Sequence, residues 1–462
     1  MTTHRLVRLL AKRALPAPLK VLVLAGLLSA CSRPQQCIEV VKTTEVSADT
    51  VDAGGKAPSR PIADMGGISV RAFGSLGRDV VNAEMSRHDP RNAAYSPVAV
   101  AGAVALLERG SRGATRADVF AAAGVRDGRE ERFEVAPQVL RALAQPRPSI
   151  QLTLATRVFV PSSLPLRSDF VQAMRSDFDT TPGALDLGAP GSVALVDTWV
   201  GEQTHEAVTS MLDAGSPTHA KKIVVSAVTA RARWATPFSE PKPSTFTLAD
   251  GAKIEVPTLT TTVLANVGTF VDHDRSYHRV LEIPLEDWEA SMLIFVPPEN
   301  ADWKLAESEF FGGNTPHTLM MPPQTKGGPV RVAVSLPVFT MRSSVSSELS
   351  TALSGLGYPW FKQGAEWGAA TPTALDQVYH QVSVQVGQHG LGVVEPPPPA
   401  TEPVAANEPD AIPESLRALM KPGGFDAPAT SFFVARPFLY MIVERHSGLV
   451  LFQGRLMDPR WP

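Results

Sequence analysis

Few residues in this chain are spaced for chemistry. "SEPK" (Ser239–Lys242) offers a serine and a lysine three positions apart, the arrangement in which a lysine takes the proton of a nucleophilic serine. A proline stands between them, and the S-D-N and K-T-G segments that accompany such a pair are missing. "DHDRSYH" (Asp272–His278) presents Asp272, His273, Asp274 and His278, oxygen and imidazole donors of the kind that hold metals. It lies between two strand-like runs and reads as a solvated turn. There is no G-x-S-x-G elbow, no G-x-G-x-x-G or Walker loop and no H-E-x-x-H. No nucleophile, base and oxyanion hole converge, and no metal ligand set or cofactor loop is legible. The chain is not read as an enzyme.

One histidine is informative because of the strand it sits in. Along "YHQVSVQV" (Tyr379–Val386), His380, Val382, Val384 and Val386 share one face. Tyr379, Gln381, Ser383 and Gln385 take the other, since side chains alternate along an extended chain. His380 therefore points with the valines into a core. A charge would be costly there, so a buried neutral imidazole with a hydroxyl or amide partner is expected.

At 462 residues the chain has room for one large domain or two ordinary ones. Its 43 basic and 46 acidic residues nearly cancel, and no cationic field directs it to nucleic acid. Residues 1–30 read as an export signal. Arg5, Arg8, Lys12, Arg13 and Lys20 make a cationic start, and "VLVLAGLLSA" (Val21–Ala30) is an apolar run too short to span a bilayer. It ends in "LSAC", which resembles a bacterial lipobox and would make Cys31 the lipidated first residue of the mature chain. An ordinary signal peptide is the plainer alternative. Two or three acyl chains suffice for stable anchoring. Ser32, where an aspartate would retain the protein at the inner membrane, points by the same resemblance to the outer membrane or cell surface. With Cys31 acylated, Cys37 has no partner within the chain: it is a free thiol or an intermolecular bridge, no disulfide staple exists, and a monomer is expected. Residues 31–66, polar and rich in Thr, Ser, Asp, Gly and Pro, read as a flexible tether.

Residues 67–462 form the body. "SPVAVAGAVALLERG" (Ser96–Gly110) reads as an apolar helix buried on most sides, and "TRADVFAAAG" as a second, capped by Thr115 and stopped by Gly124. Leu195–Leu212 and Ser343–Gly357 carry helical spacing. Lys222–Trp234, Ala290–Pro298 and Val330–Phe339 read as strands, and "FLYMIVE" and "LVLFQGRL" as a closing hairpin joined by "RHSG". No fixed repeat is present. Early helices followed by a strand-rich remainder argue an α+β fold with large antiparallel sheets.

These pieces resemble, in order, the serpin family. "NAAYSPVAVAGAVALLERGSRGATRADV" (Asn92–Val119) is similar to its N-x-x-x-S-P…G-x-x-G-x-T helix pair, and "WVGEQTHEAV" to its W-V-x-x-x-T-x-x-x-I helix. "ARARWATPF" resembles its x-G-x-W-x-x-P-F strand, with Ala232 for the glycine. "VSLPVFTMRSSVSSELSTALSGLG" and "ARPFLYMIVERHSGLVLFQGRLMDP" resemble the family's L-P-K-F and closing segments. The resemblance covers Ile68 to Pro462. It implies three β-sheets, a helical cap and a long exposed reactive-centre loop, here residues 390–430, offered as bait to serine proteases. In the family a protease cuts the loop, is held as an acyl-enzyme, and is dragged as the loop inserts into the main sheet. The inhibitor supplies no catalytic residue. By the same resemblance Ser96, Ser226 and His380 are the shutter that lies under the insertion path. Ser226 stands for the usual asparagine and Ala99 for a second serine.

The hinge departs from the family's G-T-E-A-A-A-A-T. Here Gly390, Leu391, Gly392, Val393, Val394 and Glu395 are followed by Pro396–Pro399. Insertion would send Leu391, Val393 and Glu395 to the buried side, and an unpaired buried carboxylate costs several kcal/mol. Prolines offer no amide donor to a central strand. The prolines are therefore expected to hold the loop outside the sheet, and covalent trapping is doubted. Arg417–Ala418 is the most accessible trypsin-like bond, while counting back from Pro437 points to Lys421–Asp426. Expected, then, is a membrane-held serpin-like protein that engages extracellular serine proteases, or else a non-inhibitory serpin scaffold that binds another ligand.

Overall fold

The computed structural model describes residues 68–88, 90–125, 130–147, 150–212, 220–271, 277–299, 301–312, 329–343, 347–392 and 429–460, all within one compact unit, Ser59–Pro462. Its helices are α1 (Ile68–Ser86), α2 (Pro97–Gly110), α3 (Gly113–Ala122), α4 (Glu131–Glu134), α5 (Ala136–Ala144), α6 (Ser168–Phe178), α7 (Ser192–Thr204), α8 (Trp303–Phe311) and α9 (Ser350–Gly355). The earlier strands are β1 (Ala93–Tyr95), β2 (Ile150–Val160), β3 (Gly183–Ala184), β4 (Ile223–Arg233), β5 (Lys242–Thr247), β6 (Lys253–Val271), β7 (Tyr277–Pro284) and β8 (Ala290–Val296). The later ones are β9 (Val330–Pro337), β10 (Phe339–Arg342), β11 (Ser347–Glu348), β12 (Gln377–Gly387), β13 (Gly390–Leu391), β14 (Thr430–Phe433), β15 (Phe438–Glu444) and β16 (Val450–Leu456).

The expected α+β serpin-like fold is present. One sheet runs β10-β12-β13-β4-β2-β3, with β11 beside β12. The other runs β1-β16-β15-β8-β7-β6-β9-β14, with β5 against β6. The 19-residue β6 joins its two parts. Lys253–Thr258 pairs with β5, Thr258–Ala265 with β9 and Asn266–Val271 with β7. The second and third expected sheets therefore share one continuous hydrogen-bonded network. β15 and β16 pair antiparallel and are buried at every position, as their unbroken apolar runs require.

α2 begins as its sequence dictates. Ser96 caps it, its hydroxyl accepting the Ala99 N–H at 3.3 Å, and Pro97 fills the first turn, where a missing N–H costs nothing. Being apolar all round, the helix is buried along almost its whole length. α7 lies across the front of the first sheet. Val196 and Val200 pack in one cluster with Ala155 and Phe159 of β2, Ile223, Val225 and Ala227 of β4 and Tyr379 of β12.

Three local expectations change. The helix expected to run to Leu212 stops at Thr204, because His205 and Glu206 adopt left-handed conformations. The Thr204 hydroxyl accepts the Val208 N–H there, and Asp197 accepts those of Met211 and Leu212. Thr115 does not cap α3, which starts at Gly113; its hydroxyl accepts the Glu366 N–H instead. The helix expected from Ser343 is confined to α9, because Ser347 and Glu348 pair with β12 as β11.

Candidate functional site

β12 and β4 run parallel and pair directly from Gln377–Ile223 to Val382–Val228. Beyond that point they diverge, and β13 enters between them, antiparallel to both. Leu391 lies opposite Val386 and Ala232, and Gly390 opposite Gly387 and Arg233. The side chain of Leu391 is fully buried in the main core. The first two residues of the expected loop are thus already strand. The expectation that the prolines hold the loop outside the sheet is therefore corrected for Gly390 and Leu391, which pair on both sides; Pro396–Pro399 lie outside the described residues.

Glycine is required at this entry. The φ of Gly390 is +153°, and a Cβ there would stand 1.9 Å from the Ala232 carbonyl oxygen. Gly392, at φ +62°, turns the chain out of line, and its Cβ would meet the Ala230 oxygen at 2.3 Å. The Gly392 N–H donates to the Gln385 carbonyl at 2.7 Å. The two-residue turn Gln388–His389 is gripped from the side. The Trp234 ring N–H donates to the Gly387 carbonyl at 2.9 Å, and the backbone N–H groups of Trp234 and Phe238 donate to His389 and Gln388. Sequence reasoning missed this hairpin, although two glycines bracketing two residues in "GQHG" are its signal.

Deeper in the seam stands His380, only 1% exposed, on the face its alternation predicts. The Ser96 backbone N–H donates to Nε2 at 3.0 Å, which leaves the proton on Nδ1, facing the Ser226 carbonyl at 3.1 Å. Tyr95 stacks over the ring. Burial pushes the imidazole down to about 4, outweighing the Ser226 hydrogen bond, so the ring is neutral at pH 7. The amide partner expected for His380 is thus the Ser96 N–H. The Ser96 hydroxyl donates to the Leu451 carbonyl at 2.6 Å, tying α2 to β16. Ser226 is buried beside His380; among the described residues its hydroxyl has no hydrogen-bond partner, and its backbone carbonyl faces the ring.

β14 lies in the other network, parallel to β9 from Thr430–Val332 to Phe433–Ser335. Arg279 packs over Phe432 and donates to the Ser431 carbonyl at 2.9 Å. Residues 390–392 and 430 thus bracket the expected loop. Val393, Val394, Glu395, Arg417, Ala418 and Cys31 lie outside the described residues, as does the Asp272–His273–Asp274 cluster. Ser239 and Lys242 do not act together: the serine hydroxyl bonds to that of Thr260 at 2.8 Å, and Lys242 opens β5.

The comparisons agree with this geometry. The family model described as serpin (serine protease inhibitor) matches residues 72–459. Serpin-Z2A of Triticum aestivum is 26% identical over 393 residues, covering 80% of this chain and 90% of its own. Plasminogen activator inhibitor 1 of Sus scrofa is 24% identical over 410 residues, covering 85% and 93%. The structure of human thyroxine-binding globulin shares the fold with a TM-score of 0.68 at 17% identity, over 85% of this chain and all of that one.

Proposed function

Because the chain belongs to the serpin family, whose members are commonly serine protease inhibitors, we propose that it is a surface-held bait for extracellular serine proteases and supplies no catalytic residue of its own. The observation carrying this reading is the bracket around residues 393–428. The described chain before this segment ends as strand in the first sheet, and the described chain after it resumes as strand in the second. Arg417–Ala418 is the bond we assign to a trypsin-like protease. Cys31, acylated, would hold the chain at the outer membrane or cell surface through residues 31–66. Among the described residues no helix is long and apolar enough to cross a membrane.

A second reading is favoured by the hinge itself. β13 fixes the register of any further insertion. Carried on, that register places Val393 opposite Val384 and Ala230, Glu395 opposite Val382 and Val228, and Pro397 opposite His380 and Ser226. All of these strand positions are buried. A loop that cannot pass such a site would bind a protease as substrate or reversible ligand without trapping it, or would serve a scaffold whose business is another ligand. Thyroxine-binding globulin, which by its name binds a small molecule, has the same fold.

Incubating the body from residue 66 with trypsin-, chymotrypsin- and subtilisin-like proteases tests both readings. An adduct that survives denaturant, with cleavage mapped between Gly390 and Thr430, would establish trapping and sink the second. Loop cleavage without adduct would leave binding without trapping, and a loop untouched by all three would count against the bait. Cys31→Ser is expected to move the protein from the membrane to the soluble fraction; no movement would refute the anchor.

A further inference from the structure

The seam narrows from a full strand's width to nothing within four residues, and a side chain stands where it closes. Gly390 and Leu391 pair with both neighbours, and Gly392 keeps a hydrogen bond to β12 at a point where a Cβ on it would meet the Ala230 carbonyl oxygen. Direct pairing of β12 with β4 resumes at Val382–Val228. The pair between, Ser383 and Thr229, is joined by a side chain: the Thr229 hydroxyl donates to the Ser383 carbonyl across the seam at 2.8 Å. In the register that β13 sets, Val394 would arrive opposite these same two residues.

We propose that the Thr229 hydroxyl is the stop at which the hinge rests in the intact chain, a first latch ahead of the larger block that Glu395 and the prolines set against deeper entry. The inference rests on the reading of residues 390–430 as an insertable loop. Neighbouring strands lie about 4.8 Å apart, so admitting one more strand moves β12 and β4 to about twice that distance. A 2.8 Å bond between their residues cannot survive the change. The stop therefore has to break before Val393 and Val394 can pair. It acts as a positioning residue: it touches neither a protease nor the scissile bond, but holds the seam shut at the step after Gly392.

It also stands at the edge of cover. Val225 and Ala227 of β4 and Tyr379 of β12 lie under α7, whereas Arg231 and Gln385, just above the stop, are exposed. Below the stop, opening must disturb α7 as well. At the stop this side-chain bond bridges the two strands, so one substitution can probe it.

Hydrogen exchange on the full chain in detergent, read by mass spectrometry, tests the assignment with Thr229→Val and Thr229→Ser. Valine keeps the shape and removes the donor, and the half-buried site leaves the Ser383 carbonyl open to water. A neutral hydrogen bond shifts an equilibrium by about two- to tenfold. The expected result is exchange faster by that factor in segments 223–233 and 377–392 for the valine variant, unchanged exchange in 438–456, and wild-type behaviour for the serine variant. Seam exchange unaltered by valine would overturn the proposal. So would acceleration of equal size in 438–456, which would mean general loosening. The readout needs no protease, so a loop that no protease cuts would sink the bait reading and leave this result standing.

Discussion

Replacing Glu395 and Pro396–Pro399 with alanine is expected to convert a loop that is cut without consequence into one that enters the sheet. The register of β13 gives the positions: Glu395 would lie between Val382 and Val228, both fully buried, and Pro397 against His380 and Ser226. Keeping Glu395 neutral at pH 7 costs about 4 kcal/mol, from an ordinary pKa near 4.3 at about 1.36 kcal/mol per unit. Four prolines leave four acceptors of β12 and β4 without their donors, at about 1–3 kcal/mol each. Together the substitutions remove about 8–16 kcal/mol of opposition to insertion. The assay is thermal unfolding before and after a limited cut within residues 393–428. Cut wild type should melt where intact wild type does, and the cut variant should melt well above its intact form. A raised melting temperature in cut wild type would refute the reasoning, because Glu395 and the prolines would then have passed the seam. Failure of the variant to rise would show that another feature blocks it.

His380 supplies a pH signature. Its folded pKa of about 4 lies below the ordinary 6.5, so the unfolded chain binds the proton first. Its contribution is complete above pH 6.5 and is lost as pH falls to about 4, some 3 kcal/mol in all. Denaturant midpoints at pH 7 and 4.5 should differ less in His380→Asn than in wild type; an equal difference would refute the assignment. Ser226→Ala should change stability by less than about 0.5 kcal/mol, since its hydroxyl has no partner. Ser96→Ala, losing bonds to Leu451 and Ala99, should cost about 1–3 kcal/mol in the same titration. Gly390→Ala should expel β13, because its Cβ would collide with the Ala232 oxygen. Trp234, whose ring N–H holds the Gly387 carbonyl, would report this as altered fluorescence; an unchanged spectrum would refute it.

The sequence made the local parts of this fold legible and concealed the non-local ones. The alternation around His380 placed it in the core, because period-two patterning is local and one face of β12 belongs wholly to the interior. The burial of α2 was readable for the same reason, from its unbroken apolar run. Leu391 was not, because whether a residue enters a sheet depends on the space between two strands far away in the chain. Nor could sequence tell that Ser226 would offer His380 its carbonyl while its hydroxyl stands alone: a strand's backbone groups carry no residue code. The merging of two sheets through β6 escaped for a related reason, since a long strand does not announce that its halves have different partners.

The placement of β13 and β14 in separate networks has a consequence for the fate of a cut molecule. A break within residues 393–428 leaves a long amino-terminal chain and a short carboxyl-terminal one that carries β14, β15 and β16. β16 is flanked by β1 and β15, β15 by β16 and β8, and both are buried along their whole length. The short chain cannot leave without unmaking the core of the long one. A nick is therefore silent under native conditions and appears as two species only in denaturant. If Cys31 holds the first chain to a membrane, it retains the second as well, so spent and intact copies would accumulate side by side on the same surface.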